Sequence, residues 1–201
     1  MAETKRRAYA DWTYWGRPVP SFGPADARLL ILGLAPGAHG ANRTGRIFTG
    51  DSSGNFLYRA LFETGFASQP QSVSRDDGME LWDARISCSV RCAPPDNKPS
   101  PTEIRTCRAW LVRELALLPK IQVVVAFGRV AFDDYLAMQR DAGHIRTRGA
   151  FVFGHNRLHE IGPGLPVLVS SFHPSQQNTS TGKLTAQMLR EVFERARASL
   201  A

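Results

Sequence analysis

The chain has 201 residues, which fits one domain and is long enough to bury a continuous apolar core. Hydrophobic residues make up 43% of it and charged residues 21%, a balance that excludes wholesale disorder. No stretch approaches the roughly 18 apolar residues of a membrane helix, and the polar N-terminus does not resemble a secretory signal. We therefore predict a single domain over residues 1–201, a cytoplasmic location and no membrane partner.

Charge and cysteine content narrow the class of partner and compartment. The formal net charge is +7, which favours a polyanionic partner without identifying one. The three cysteines, Cys88, Cys92 and Cys107, cannot form a fully paired disulfide framework and so indicate a reducing compartment. Their clustering leaves two interpretations open, buried thiols and metal ligands. A monomer is the default expectation.

Apolar runs predict four strands that alternate with helices. The strands are expected at 28–34, 86–92, 121–128 and within 165–175, and the helices at 55–63, 102–118, 129–138 and 184–198. The second of these helices is predicted to be capped by Thr102. This alternation predicts an α/β fold, a three-layer sandwich in which helices cover both faces of a four-stranded parallel sheet.

Polar loops follow three of the predicted strands, at 35–54, 93–101 and 172–182. Because the carboxyl ends of parallel strands meet at one edge of a sheet, these loops are expected to form one site. The first loop has neither the Gly-Lys-Ser/Thr ending of a P-loop nor the glycine spacing of a dinucleotide fold. No Gly-x-Ser-x-Gly turn of a serine hydrolase occurs.

Three segments, in order, resemble the signature segments of the type b, family-5 uracil-DNA glycosylases: GLAPGAHGANRTGRIFTGDSSG, RCAPPDNKP and HPSQQNTSTGKLT. WGRPVPSFG at 15–23 is similar to the region before the family's first strand. The resemblance implies a monofunctional base-excision repair enzyme that flips uracil, or a related deaminated or damaged base, out of DNA and hydrolyses its N-glycosidic bond. A catalytically inert nucleic-acid-binding module on the same fold is the alternative.

Two residues match the family's catalytic positions. Asp51 matches the proposed catalytic aspartate, which assists the attacking water; its alternative role is a helix N-cap, and one side chain can do both. His173 matches the histidine that donates a hydrogen bond to the base oxygen, against the alternative of a histidine satisfied by local backbone. Ala35 stands where other uracil glycosylase families place a polar, water-activating side chain.

Further residues are candidates for holding the base. Asn97 offers an amide donor and acceptor to the Watson–Crick edge, with an Asx-turn as the alternative. Phe48 is a stacking platform or a core residue, and His39 assists with water or caps its loop. The candidates for DNA contact are Arg43, Arg46, Lys98, Ser175, Gln176, Asn178 and Lys183. For the basic residues among them, the default alternative is a solvated surface charge.

The resemblance also implies a [4Fe–4S] cluster, for which this chain supplies only part of the ligands. Cys92 and Cys107 match two of the family's four cysteine ligands, and the other two belong to an upstream Cys-x-x-Cys pair that this chain does not contain. We expect an N-terminal segment with that pair to be missing, with true loss of the cluster as the alternative. As it stands, the chain is expected to bind a complete cluster poorly or not at all, and Cys88 is expected to be a buried strand residue.

Overall fold

The computed structural model describes residue 3 and residues 5–201. In this part of the chain the strands are β1 (Leu29–Gly33), β2 (Ala84–Cys88), β3 (Val123–Phe127), β4 (Arg157–His159) and β5 (Val167–Ser171). The α-helices are α1 (Ala41–Thr44), α2 (Ser52–Glu63), α3 (Pro101–Ala116), α4 (Arg129–Asp141), α5 (Gln176–Ser180) and α6 (Ala186–Ala198). Short 3₁₀ turns lie at Arg7–Tyr9 and Pro95–Asn97.

The strands form one sheet in the order β2-β1-β3-β5-β4. The first four strands in that order run parallel, as predicted. The sheet has a fifth strand, β4, which pairs antiparallel with β5 at the edge and which the sequence prediction missed. Only three residues long, with the sequence Arg-Leu-His, β4 has too few alternations to produce a strand signal.

Helices cover both faces of the sheet, which confirms the α/β fold class. Alternate residues of β1 point to opposite faces: Leu29 and Ile31 join the core beneath α2 and α6, and Leu30 and Leu32 join the core beneath α4. Both cores are built from side chains that are almost wholly buried. No helix in the described ranges is long and apolar enough to cross a membrane.

The start of α3 differs from the prediction by two residues. Ser100, rather than Thr102, is the N-cap: its hydroxyl accepts a hydrogen bond from the Glu103 backbone N–H, and the Glu103 side chain accepts one from the Ser100 N–H. Pro101 occupies the first helical position, where its missing N–H costs no hydrogen bond. The predicted loop at 93–101 included Ser100 and Pro101, and this displaced the predicted cap to Thr102.

Candidate active site

Loops that follow β1, β2 and β5 converge on one cavity of about 630 Å³ at the carboxyl edge of the sheet. The first loop and the start of α2 contribute most of the lining, from Leu34 to Ser53. The loop after β2 adds Asn97, and the loop after β5 adds His173, Ser175 and Gln176. The structure therefore brings together side chains that lie more than a hundred residues apart in sequence.

Asp51 both caps α2 and lines the cavity. One carboxylate oxygen, Oδ1, accepts a hydrogen bond of 3.0 Å from the Gly54 backbone N–H. The other oxygen, Oδ2, faces Gly37 and Gly40, and a Cβ at Gly40 would lie 2.1 Å from it. The N-cap role that the sequence suggested for Asp51 is confirmed, and it uses only Oδ1, which leaves Oδ2 for the catalytic role that remains a prediction.

Phe48 and His173 form an aromatic wall of the cavity. The two ring centroids lie 5.8 Å apart at an angle of 35°, and Phe127 packs edge-on against the other side of Phe48. Phe48 is buried, with a left-handed φ of 53°, and its ring covers Gly33 so closely that a Cβ there would lie 3.0 Å from it. Phe48 is therefore a core residue that also presents a ring to the cavity.

The imidazole of His173 is held neutral. Burial lowers the pKa of His173 to about 4, and the nearby Asp51 carboxylate, which favours the charged form, only partly opposes this. The Asn178 side chain donates a hydrogen bond of 2.9 Å to the His173 backbone carbonyl and so fixes the loop that carries the ring. At neutral pH the ring keeps one N–H donor and one acceptor nitrogen.

Asn97 ties the second loop to the first. Its amide oxygen accepts a hydrogen bond of 2.9 Å from the Ala38 backbone N–H. Asn97 and Asp96 both have left-handed backbones, with φ of 55° and 52°, in the turn that presents the side chain. Because the oxygen is bonded to the loop, the amino group of the amide is the part left to meet a ligand.

His39 lines the cavity and is anchored from behind by Tyr14. The Tyr14 hydroxyl lies 2.9 Å from His39 Nδ1, and Tyr14 itself is buried. Burial lowers the pKa of His39, and the charges of Arg6 and Arg43 lower it further. Ala35 also lines the cavity, as an apolar surface beside these polar groups.

The structure corrects the expectation that Arg43 and Arg46 contact phosphates, since both are only 5% exposed. Arg43 donates to the His39 and Gly50 carbonyls, at 2.8 and 2.9 Å. Arg46 forms an ion pair of 2.6 Å with the buried Asp77. Their guanidinium groups are therefore used inside the protein and are not presented to a ligand.

Of the remaining predicted DNA contacts, Ser175 and Gln176 line the cavity. Lys98, Gln176 and Lys183 are exposed. Ser175 caps α5 through its hydroxyl and also lines the cavity, whereas the Asn178 amide is engaged with the backbone of the His173 loop.

Two cavity residues, Arg6 and Tyr9, were missed by the sequence analysis. They precede the first strand by some twenty residues, in a segment without apolar periodicity, so nothing local indicated that they would fold onto the site. The available signal was the basic and aromatic character of the segment KRRAYADW.

The cysteines of the described residues supply only part of a four-thiolate set. Cys92 and Cys107 are free thiols near the surface, and Cys88 is buried, as expected, with its pKa raised to about 12 by burial. Burial also raises the pKa of Cys92, with a further increase from Cys107. Among the residues described, no three His, Cys, Asp or Glu side chains are grouped to hold a metal ion.

Comparisons with known proteins point to one family. The family model described as the Uracil DNA glycosylase superfamily matches residues 20–197. The Type-5 uracil-DNA glycosylase of Thermus thermophilus is 48% identical over 96% of this chain and 85% of its own length. Those of Mycobacterium bovis and Pyrobaculum aerophilum are 48% and 46% identical, over 98% and 96% of this chain and 72% and 80% of their own lengths.

Proposed function

This chain belongs to the Uracil DNA glycosylase superfamily, and we propose that its cavity removes uracil from DNA with Asp51 and His173 as catalytic residues. The chain is a hydrolase of N-glycosyl bonds that acts in DNA repair. The observation that carries the assignment of roles is that the Asp51 carboxylate and the His173 imidazole line the same cavity, although 122 positions separate them in the sequence.

The cavity can hold a base that has been flipped out of the duplex. An enzyme that acts on a base must extrude it, stack it on a ring and bind its polar edge. Phe48 supplies the ring, and the Asn97 amino group supplies a donor for a base oxygen. The volume of about 630 Å³ exceeds that of a pyrimidine and leaves room for larger deaminated or damaged bases.

His173 stabilises the leaving base. As the N-glycosidic bond breaks, negative charge develops on the base and its carbonyl oxygens become stronger acceptors. Because burial lowers the pKa of His173 to about 4, the neutral imidazole donates an N–H hydrogen bond to that oxygen without first having to be charged. The base then leaves as a hydrogen-bonded anion.

Asp51 acts on the sugar side of the bond. Oδ1 is fixed by the Gly54 N–H, so the carboxylate has a single orientation, with Oδ2 directed at the loop beside the cavity. A carboxylate placed there orients the attacking water and stabilises the positive charge that develops on the sugar ring. Lys98 and Lys183 lie outside the cavity lining, so neither is placed to act as an amine nucleophile. This favours hydrolysis without strand cleavage.

Basic and polar residues around the mouth hold the DNA. Lys98, Lys183 and Gln176 are exposed, and Arg6 and Gln176 line the cavity. Their contacts with phosphates position the strand, and the overall charge of +7 attracts it. We propose that the protein acts as a monomer. The steps proposed here use only side chains of this chain.

The test is single-turnover excision from oligonucleotides that carry uracil, with hypoxanthine and ethenocytosine as further substrates. Asp51→Asn keeps the cap hydrogen bond but loses the charge, so we expect DNA binding to persist while excision falls by about 10²-fold or more. The matched control is Asp76→Asn, which removes the charge of a side chain that is 87% exposed and lies outside the cavity lining. Unchanged excision by the Asp51 variant would remove it from its role, and DNA binding without excision by the wild type would favour the inert binding module.

A further inference from the structure

The buried Arg43 touches both sides of the recess that holds the Asp51 carboxylate. Its Nε donates 2.8 Å to the carbonyl of His39, the residue before Gly40, and Gly40 faces Asp51 Oδ2. One of its terminal nitrogens donates 2.9 Å to the carbonyl of Gly50, the residue before Asp51. We propose that Arg43 is a positioning residue that fixes the Asp51 carboxylate through these two backbone carbonyls.

Two aromatic rings hold the guanidinium in place. Its central carbon lies 4.0 Å from the ring centroid of Tyr9 and 4.1 Å from that of Trp12. The guanidinium is planar, so stacking on the rings restricts its rotation and leaves the N–H donors at its edge directed at the two carbonyls. The N-terminal segment thereby supports the catalytic loop from outside.

The backbone of the loop is shaped around this guanidinium. Gly50 has a φ of +86°, and a Cβ there would lie 2.5 Å from the terminal nitrogen of Arg43. The Gly50 carbonyl can therefore face Arg43 only because the residue has no side chain. Asp51 follows directly, so a change in the direction of that carbonyl changes the start of α2 and the angle of the carboxylate.

A lysine cannot make the contacts that Arg43 makes. Its ammonium is a single point of charge and lacks the planar, forked donors that reach two carbonyls at once and stack on two rings. In Arg43→Lys we expect excision at saturating enzyme to fall by about 10²-fold, the effect of a displacement of about 1 Å at a catalytic group. The affinity for uracil-containing DNA is expected to stay within about threefold, because the guanidinium is buried and donates to backbone carbonyls of its own loop.

A double-mutant cycle with Asp51→Asn separates positioning from a general loss of structure. This inference rests on the role of Asp51 in the proposed function: if Arg43 acts through the Asp51 carboxylate, Arg43→Lys lowers excision little further once that carboxylate is gone. A residue that merely stabilises the fold would lower excision by the same factor in both backgrounds.

Two more variants complete the experiment. Arg197→Lys is the matched control, since Arg197 also stacks on a ring, Phe66 at 3.9 Å, and donates to a carbonyl, that of Thr64, but lies outside the cavity lining. It is expected to leave excision unchanged. Trp12→Leu removes one of the stacked rings at an exposed position and is expected to lower excision about tenfold, again only when Asp51 is present.

The outcomes distinguish this inference from the proposed function. Losses from Arg43→Lys and Trp12→Leu that disappear in the Asp51→Asn background support it. The inference is overturned if the variants lower excision by the same factor in the wild-type and Asp51→Asn backgrounds. It is also overturned if both variants excise uracil at the wild-type rate. If Arg43→Lys does not fold, Trp12→Leu decides by the same criterion. Full excision by Asp51→Asn alone would instead overturn the proposed function.

Discussion

At the residue scale, the Asp51 carboxylate depends on space that two glycines leave for it. A Cβ at Gly40 would lie 2.1 Å from Oδ2 and 2.9 Å from Cγ, far inside contact distance. A Cβ at Gly37 would lie 3.2 Å from Oδ2, a tight contact that a small shift relieves. The loop therefore uses the absence of side chains to bring its backbone against the carboxylate.

Gly40→Ala is expected to displace the Asp51 carboxylate and to lower excision by about 10²-fold. Gly37→Ala, with its milder contact, is expected to lower excision less than Gly40→Ala does. Single-turnover excision on a uracil-containing duplex measures both.

The control for these alanine substitutions is Gly162→Ala, whose Cβ would meet only the side chain of Leu165, at 3.5 Å. It is expected to keep wild-type excision. Equal rates for Gly40→Ala and Gly162→Ala would show that the carboxylate does not need the position seen here.

The meeting of Asp51 and His173 at one cavity could be foreseen from the sequence, but the burial of the arginines could not. Asp51 and His173 follow apolar strands, and the topology of a parallel sheet then places them at one edge. Arg43 and Arg46 also lie in a glycine-rich loop, where a solvated charge is the default. Their burial depends on residues far away in sequence, such as Trp12 and Asp77, and no local pattern encodes those contacts.

At the element scale, a buried ion pair joins the loop between β1 and α2 to the segment between α2 and β2. Arg46 and Asp77 have side chains that are 5% and 7% exposed. Arg46 also donates to the Ser72 hydroxyl at 2.8 Å, and Asp77 accepts from the backbone N–H groups of Val73 and Met79 at 2.7 and 3.0 Å. Loss of one partner would leave a buried charge unpaired.

Asp77→Asn is therefore expected to lower the free energy of unfolding by roughly 3 kcal/mol at neutral pH. Burial alone would raise the pKa of Asp77, but hydrogen bonds from Arg46 and from backbone N–H groups outweigh it and hold that pKa below the ordinary value of 3.8. The stabilisation is present above pH 3.8 and is lost as the pH falls through the lower, folded-state value.

Denaturant unfolding of both proteins as a function of pH measures this effect. The difference between wild type and Asp77→Asn should be constant from neutral pH to about pH 5 and should shrink below pH 3.8. Asp76→Asn, at the neighbouring exposed position, is expected to change little. A difference that persisted unchanged at pH 2 would show that the charge of Asp77 is not what stabilises the loop.

At the scale of the whole molecule, the order of the strands explains why one cavity forms. β1 lies between β2 and β3, and β5 lies beyond β3. Because these four strands run parallel, the loops after β1, β2 and β5 all emerge at the same edge of the sheet. Alternating apolar strands and helices made this convergence predictable. The strand β4 and the N-terminal segment were not predictable in the same way, because one is too short for a periodic signal and the other has no regular pattern.

We propose that one cavity, lined mainly by three loops, receives the flipped uracil between Phe48 and the side chains of Asp51 and His173. The most direct measurement is a crystal structure of Asp51→Asn bound to a duplex that contains one uracil. We expect the uracil ring to lie against Phe48, with a carbonyl oxygen within about 3 Å of a His173 ring nitrogen and the sugar beside residue 51. A uracil bound elsewhere on the protein, or still stacked in the duplex while the protein sits on it, would contradict the account.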